Sequence, residues 1–205
     1  MKAYRALAAL LSYPEPELLD ALPEIRPFVP REALPLFEEL ATQELLALQE
    51  RYVALFDRSR ALSLHLFEHV HGESRDRGQA MVDLQAMYES RGYRVVPDEL
   101  PDYIPAFLEF VSLTGGKEAI RLLRETAHIL RALGERLAQR GSAYAGVFAA
   151  LLALAGEPGI AVPAGERIQE QPIDEQWIDP QVSFGGPGAA NAAEPIRFYR
   201  KGAGA

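Results

Sequence analysis

Three of the chain's four histidines stand in one run, His65-Leu66-Phe67-Glu68-His69-Val70-His71, which continues as Gly72-Glu73-Ser74-Arg75-Asp76-Arg77. Two imidazoles four residues apart, with a carboxylate between them, are the residue types of a zinc peptidase. There the histidines hold the metal and the glutamate takes a proton from the attacking water. On a helix advancing about 100° per residue, His65, Glu68 and His69 share one face within an arc of about 100°. Leu62, Leu66, Phe67 and Val70 take the other side, so the same spacing also describes the groove or solvent face of an ordinary amphipathic helix. A small zinc-dependent hydrolase using His65, Glu68 and His69 is therefore one chemical reading. It lacks a near third ligand, because His71 lies well round the helix from His65 and His128 is remote, with no motif around it.

A second polar pattern follows Gly72. Asp76, Gln79 and Asp83 recur at spacings of three and four on an expected helix whose apolar stripe is Ala80, Leu84, Met87 and Tyr88. Such carboxylates are either a solvated face or the acidic border of a groove that receives a helix or peptide carrying Lys or Arg. Arg75 and Arg77 are expected to pair with Glu73, Asp76 or neighbouring carboxylates, or to hold the two motif helices together. Other catalytic signatures are missing. There is no Walker-type loop, no G-x-G-x-x-G after a strand and no G-x-S-x-G elbow.

The elements that position these residues read as helices from residue 1 to about 156, with almost no alternating strand pattern. The expected fold is all-α, a single domain over 1–156 followed by an irregular Pro/Gly-rich tail over 157–205. Helices are expected over about Lys2 to Leu11, after Pro30, after Thr42 as N-cap, from Ala61 to His71, from Ser74 to Arg91, from Asp98–Asp102 to Gly115, from Lys117 to Gln139, and after Ser142 as cap. The last is nearly all small and apolar and should be buried on most sides. In the tail, Ile173, Trp177, Ile178 and Phe184 are candidates to dock on the body.

Composition narrows the function further. The 205 residues are 48% hydrophobic and 24% charged, as in ordinary globular proteins. No apolar run reaches the roughly 18 to 20 residues of a bilayer-spanning helix. No cysteine is present, which removes a disulfide scaffold, a thiolate metal site and a Cys nucleophile together. A net charge of −8 and a pI near 5.1 argue against nucleic-acid binding, which needs clustered Lys and Arg, and favour a cationic partner.

The run FDRSRALSLHLFEHVHGESRDRGQAMVDL, residues 56–84, closely resembles the segment typical of the NarJ family, the assembly chaperones of respiratory nitrate reductase. ELPDYIPAFLEFV, residues 99–111, resembles that family's second motif, which in the wider TorD and DmsD group is of a Glu-Pro-x-Asp-His type. Here Tyr103 stands where the wider group has His, and Asp102 is kept. The early LLSYPEPEL also matches in character. The resemblance covers roughly residues 5–155.

It implies a TorD-like all-helical, cytoplasmic, non-enzymatic chaperone. Such a protein would bind the N-terminal segment of the nitrate reductase catalytic (alpha) subunit and support molybdenum cofactor insertion before membrane attachment. It would hold neither the cofactor nor a metal stably, would not insert in the membrane, and could meet cofactor-delivery proteins as further partners. The client-contacting residues it implies are Glu68, His69, His71, Glu73, Arg75, Asp76, Gln79 and Asp83 from the first motif, with Asp102 and Tyr103 from the second. A general helical adaptor is the blander alternative, and only the family resemblance separates the two.

Overall fold

The helical periodicity of the chain is realised as nine α-helices and three 3-10 turns among the described residues. The structure, a computed structural model, describes residues 2–70, 75–96 and 99–160, without the side chain of Arg75. The chain divides into two units, Met1–Gln169 and Glu170–Ala205, and all the described residues belong to the first. His71, Glu73, Ser74 and the tail anchors Ile173, Trp177, Ile178 and Phe184 lie outside the described residues.

The helices are α1 Lys2–Leu11, α2 Pro16–Ile25, α3 Leu34–Thr42, α4 Leu45–Phe56, α5 Leu66–Val70, α6 Arg75–Glu89, α7 Ile104–Thr114, α8 Gly116–Gln139 and α9 Ala145–Ala155. The all-α expectation holds. Two long contacts organise the core: α8 lies along α9, and α1 lies along α7. α9 presents Val147, Phe148, Ala150, Leu151 and Leu152 to protein on nearly every side. This follows from a sequence with no charged residue to keep in water. Leu7, Leu10 and Leu11 of α1 meet the buried Ile104, Leu108 and Val111 face of α7 in the same core.

Several boundaries differ from the sequence expectation. Thr42 does not cap α4; its hydroxyl donates back to the Glu38 carbonyl at 2.7 Å in the last turn of α3. Glu44 is the N-cap residue of α4 instead, without a side-chain cap bond. α2 was not foreseen: Pro16 opens it, where a missing N–H costs nothing, and Pro23 is confined to its last turn. The Ser142 hydroxyl accepts the Tyr144 amide at 3.4 Å, holding the turn before α9. The helix expected from Ala61 to His71 breaks into a 3-10 turn, Arg60–Leu62, an extended stretch, and the short α5. The second-motif helix begins at Ile104, not at Asp98–Asp102.

α9 also crosses the 3-10 turn Arg31–Ala33, with Gly146 at the crossing. A side-chain carbon at Gly146 would overlap the Glu32 carbonyl oxygen, and backbone cannot step aside as a flexible side chain can. Gly146→Ala is therefore expected to destabilise the protein by about 1 to 3 kcal/mol, the usual cost of overpacking, as read by a lower denaturation midpoint. Unchanged stability would mean that α9 and the turn are free to move apart.

Candidate functional site

The two motifs meet. The extended stretch between the 3-10 turn and α5 pairs antiparallel with the start of α7, at a bridge between His65 and Tyr103. The Leu66 amide donates to the Asp102 carbonyl at 3.0 Å, and the Ile104 amide to the Leu64 carbonyl at 2.8 Å. Pro101 and Pro105 stiffen the second strand of this bridge on either side. The Tyr88 hydroxyl, from α6, donates to the Pro101 carbonyl at 2.8 Å and fixes the turn from below. Burial pushes the Tyr88 phenol well above its usual pKa, with a smaller push from Asp102, so it remains a donor.

Asp102 is the centre of the joint. It is 0% exposed, and it does not cap the helix that follows. Its Oδ1 lies 3.2 Å from His65 Nδ1, and its Oδ2 accepts the Phe67 amide at 3.1 Å. A carboxylate only accepts, so His65 carries its proton on Nδ1. Tyr103 lies beside it, its ring centroid 5.5 Å from that of His65 and its hydroxyl 3.0 Å from the Tyr52 hydroxyl. The phenol thus reaches into α4, a contact that an imidazole at this position would be too short to make.

The zinc reading of the first motif is corrected by these partners. His65 precedes the helix instead of lying on it, and its Nδ1 belongs to Asp102. His69 Nε2 lies 2.8 Å from the Ser63 carbonyl, to which it must donate, and so presents no lone pair there. Glu68 accepts from Arg77 of α6 at 3.2 Å. The three groups answer three separate demands of the fold, and no cluster of three potential ligands gathers among the described residues.

A hollow of about 420 Å³ opens where the broken helix leaves space, lined by Phe56, Asp57, Ser59, Ser63, His65 and Glu68, with Arg60 at its edge. Arg136 of α8 donates to the Ala61 carbonyl at 2.7 Å and so ties α8 to the 3-10 turn that precedes Ser63. The floor of the hollow is aromatic, with Phe56 packed on Tyr52 and Tyr144 at centroid distances of 4.8 and 5.0 Å. Of the residues expected to contact a client, Glu68 lines the hollow, while His69, Asp102 and Tyr103 belong to the joint, bonded to Ser63, His65 and Tyr52 respectively. Asp76, Gln79 and Asp83 lie on the exposed face of α6, where Gln79 donates to Asp83 at 2.8 Å. Sequence reasoning passed over Ser63 because it drew one helix from Ala61 to His71, and over Asp57 and Ser59 because it treated them as the connection before that helix. The FDRSR run was the available signal, since its charged and small residues interrupt the apolar period.

The fold and this joint define an all-helical protein, among the described residues, in which two motifs meet at one buried carboxylate. The fold is shared with the crystal structure of an Archaeoglobus fulgidus protein assigned as a redox enzyme maturation protein, at a TM-score of 0.60 and 22% identity over 77% of this chain and 94% of that one. The family model described as nitrate reductase delta subunit matches residues 7–150, a span that includes both motifs. The nitrate reductase molybdenum cofactor assembly chaperone NarJ of Escherichia coli K12 is 42% identical over 195 residues, covering 87% of this chain and 83% of NarJ. A Bacillus subtilis 168 protein assigned to the same role is 31% identical over 165 residues, covering 77% of this chain and 90% of its own. The chain belongs to this NarJ family of nitrate reductase assembly chaperones.

Proposed function

We propose that this protein is a dedicated, non-enzymatic chaperone of a respiratory nitrate reductase. In the cytoplasm it binds the N-terminal segment of the catalytic subunit, keeps the apoprotein open to molybdenum cofactor insertion, and delays membrane attachment until insertion is complete. The cofactor is the client's cargo; cofactor-delivery proteins are further partners of the complex. The observation that carries this reading is the family match across both motifs, at the place where the motifs meet around a hollow with an aromatic floor and a carboxylate rim.

Recognition follows from that chemistry. An amphipathic client segment sets apolar side chains against Phe56, and its basic residues meet Asp57 and Glu68 at the rim. Burial supplies most of the affinity, at about 25 cal/mol per Å² before ordering costs are subtracted. The rim charges supply orientation and encounter rate. Asp102 and Tyr103 act from beneath, as residues that hold the His65 strand in place. In this reading Asp76, Gln79 and Asp83 of α6, together with His71, Glu73 and Arg75 of the same motif, are further contacts for the client.

Calorimetric titration of the full chain with a synthetic peptide of the cognate catalytic subunit's N-terminus tests the reading. One-to-one binding is expected, weakened by Glu68→Gln and absent with a scrambled peptide. Heat equal to that of the scrambled peptide would defeat it.

A further inference from the structure

Between the end of α6 and the outer face of α7 lies a second, smaller hollow of about 150 Å³ that the function above leaves unused. Its walls include Tyr93, Val96, Phe110 and Leu113. Val96 is 63% exposed, Leu113 48% and Tyr93 37%. Large apolar side chains open to water around one hollow are the mark of a contact surface, since scattered single ones are the norm.

Two carboxylates, Glu99 and Glu109, also line the hollow, and neither makes an ion pair among the described residues. Partial burial pushes the Glu99 pKa up, the Glu109 charge pushes it further, and the His65 ring offsets part of this. Arg94 also lines the hollow, with its side chain 86% exposed and 4.0 Å from Glu89. An apolar cleft flanked by two carboxylates that repel each other is complementary to a chain offering an apolar side chain beside a Lys or Arg. The cleft is linked to the first-motif hollow through the joint: Tyr88, which lines the cleft, donates to the Pro101 carbonyl, and Tyr103, two residues on, bridges to His65, which lines the hollow. Glu99 is near enough to act electrostatically on Tyr103 and to be acted on by His65, which lines that hollow.

We propose that the client's N-terminal segment continues from the first-motif hollow past the His65–Tyr103 bridge into this cleft. There an apolar side chain packs on Val96 and Leu113, and a neighbouring Lys or Arg is held between Glu99 and Glu109. This rests on the chaperone reading above and adds to it the residues that read the client's positive charge. It also explains why an acidic protein leaves two carboxylates unpaired on an apolar wall.

The test uses the full chain and the same N-terminal peptide, with a Glu99→Gln/Glu109→Gln double variant and Asp20→Asn, on the exposed face of α2, as control. The double variant is expected to bind about tenfold more weakly, as for loss of a partly desolvated charge pair, with an unchanged melting midpoint and a shallower dependence of affinity on salt. Replacing the peptide's basic residues by Gln should weaken binding to the wild type and add nothing to the loss in the double variant. Equal affinity and equal salt dependence of wild type and double variant would overturn the cleft assignment while leaving the chaperone reading intact. Failure of the wild type to bind the peptide at all would overturn both.

Discussion

Asp102→Ala should cost the protein about 3 kcal/mol of unfolding free energy, near the lower end of what breaking a buried charged pair costs. The carboxylate is wholly buried, and both of its oxygens are engaged, one by His65 Nδ1 and one by the Phe67 amide. Alanine leaves that amide without a partner inside the protein and frees the His65 ring. The Leu66 and Ile104 amide bonds would then carry the bridge alone. Asp102→Asn separates shape from charge, since its carbonyl can still accept one of the two bonds; about half the loss is expected, because a neutral amide makes a weaker acceptor. Denaturant unfolding measures both. A loss below about 1 kcal/mol for the alanine variant, within the range of an exposed ion pair, would show that the two motifs are held together without the carboxylate. His65 lines the hollow proposed to receive the client, so peptide affinity per folded molecule should fall with stability in Asp102→Ala and stay nearer wild type in Asp102→Asn.

The same residue shows where sequence reasoning stops. α8 was legible because its apolar residues recur at the helical period and α9 because it is one unbroken small-apolar run, and their ends carry Gly115, Gly141 and Gly156, all with positive φ. The second motif's Asp102 has the look of a helix cap in sequence. Its use is set instead by a partner 35 residues earlier in the chain, the Phe67 amide, and no local pattern records that. His65-Leu66-Phe67-Glu68-His69 misled for a related reason. Its spacing fits a helix, yet the extended backbone at His65 is stabilised by pairing with Tyr103, a tertiary bond that outweighs local preference. The candidate site was thus legible as a stretch of sequence and not as a geometry. Glu99 and Glu109 both lie within the second motif, but ten residues apart; only the folded chain sets them around one apolar cleft.

Tyr52→Ala is expected to have the largest effect of all, about 3 to 5 kcal/mol, as for other large aromatic side chains deleted from a core. Its ring touches Tyr13, Phe56 and Tyr144 at centroid distances of 5.4, 4.8 and 6.2 Å. Its hydroxyl lies 3.0 Å from the Leu11 carbonyl and 3.0 Å from the Tyr103 hydroxyl. One phenol has one proton. The Leu11 carbonyl can only accept, so Tyr52 donates to it and Tyr103 must donate to Tyr52. Burial pushes both phenols above their usual pKa, which keeps the two donors protonated. α1, α4 and the second motif are therefore joined through a single oxygen, directly beneath the Phe56 floor of the hollow. Tyr52→Phe tests that chain alone: it preserves the rings, strands the Leu11 carbonyl, and should cost about 1 to 2 kcal/mol. Peptide binding should survive Tyr52→Phe and be lost in Tyr52→Ala, because the aromatic floor depends on the ring and the strand's anchoring is shared with Asp102. If Tyr52→Ala were to bind the peptide as tightly as wild type, Phe56 would not need its neighbour, and the floor of the hollow would have to be sought elsewhere in the first motif.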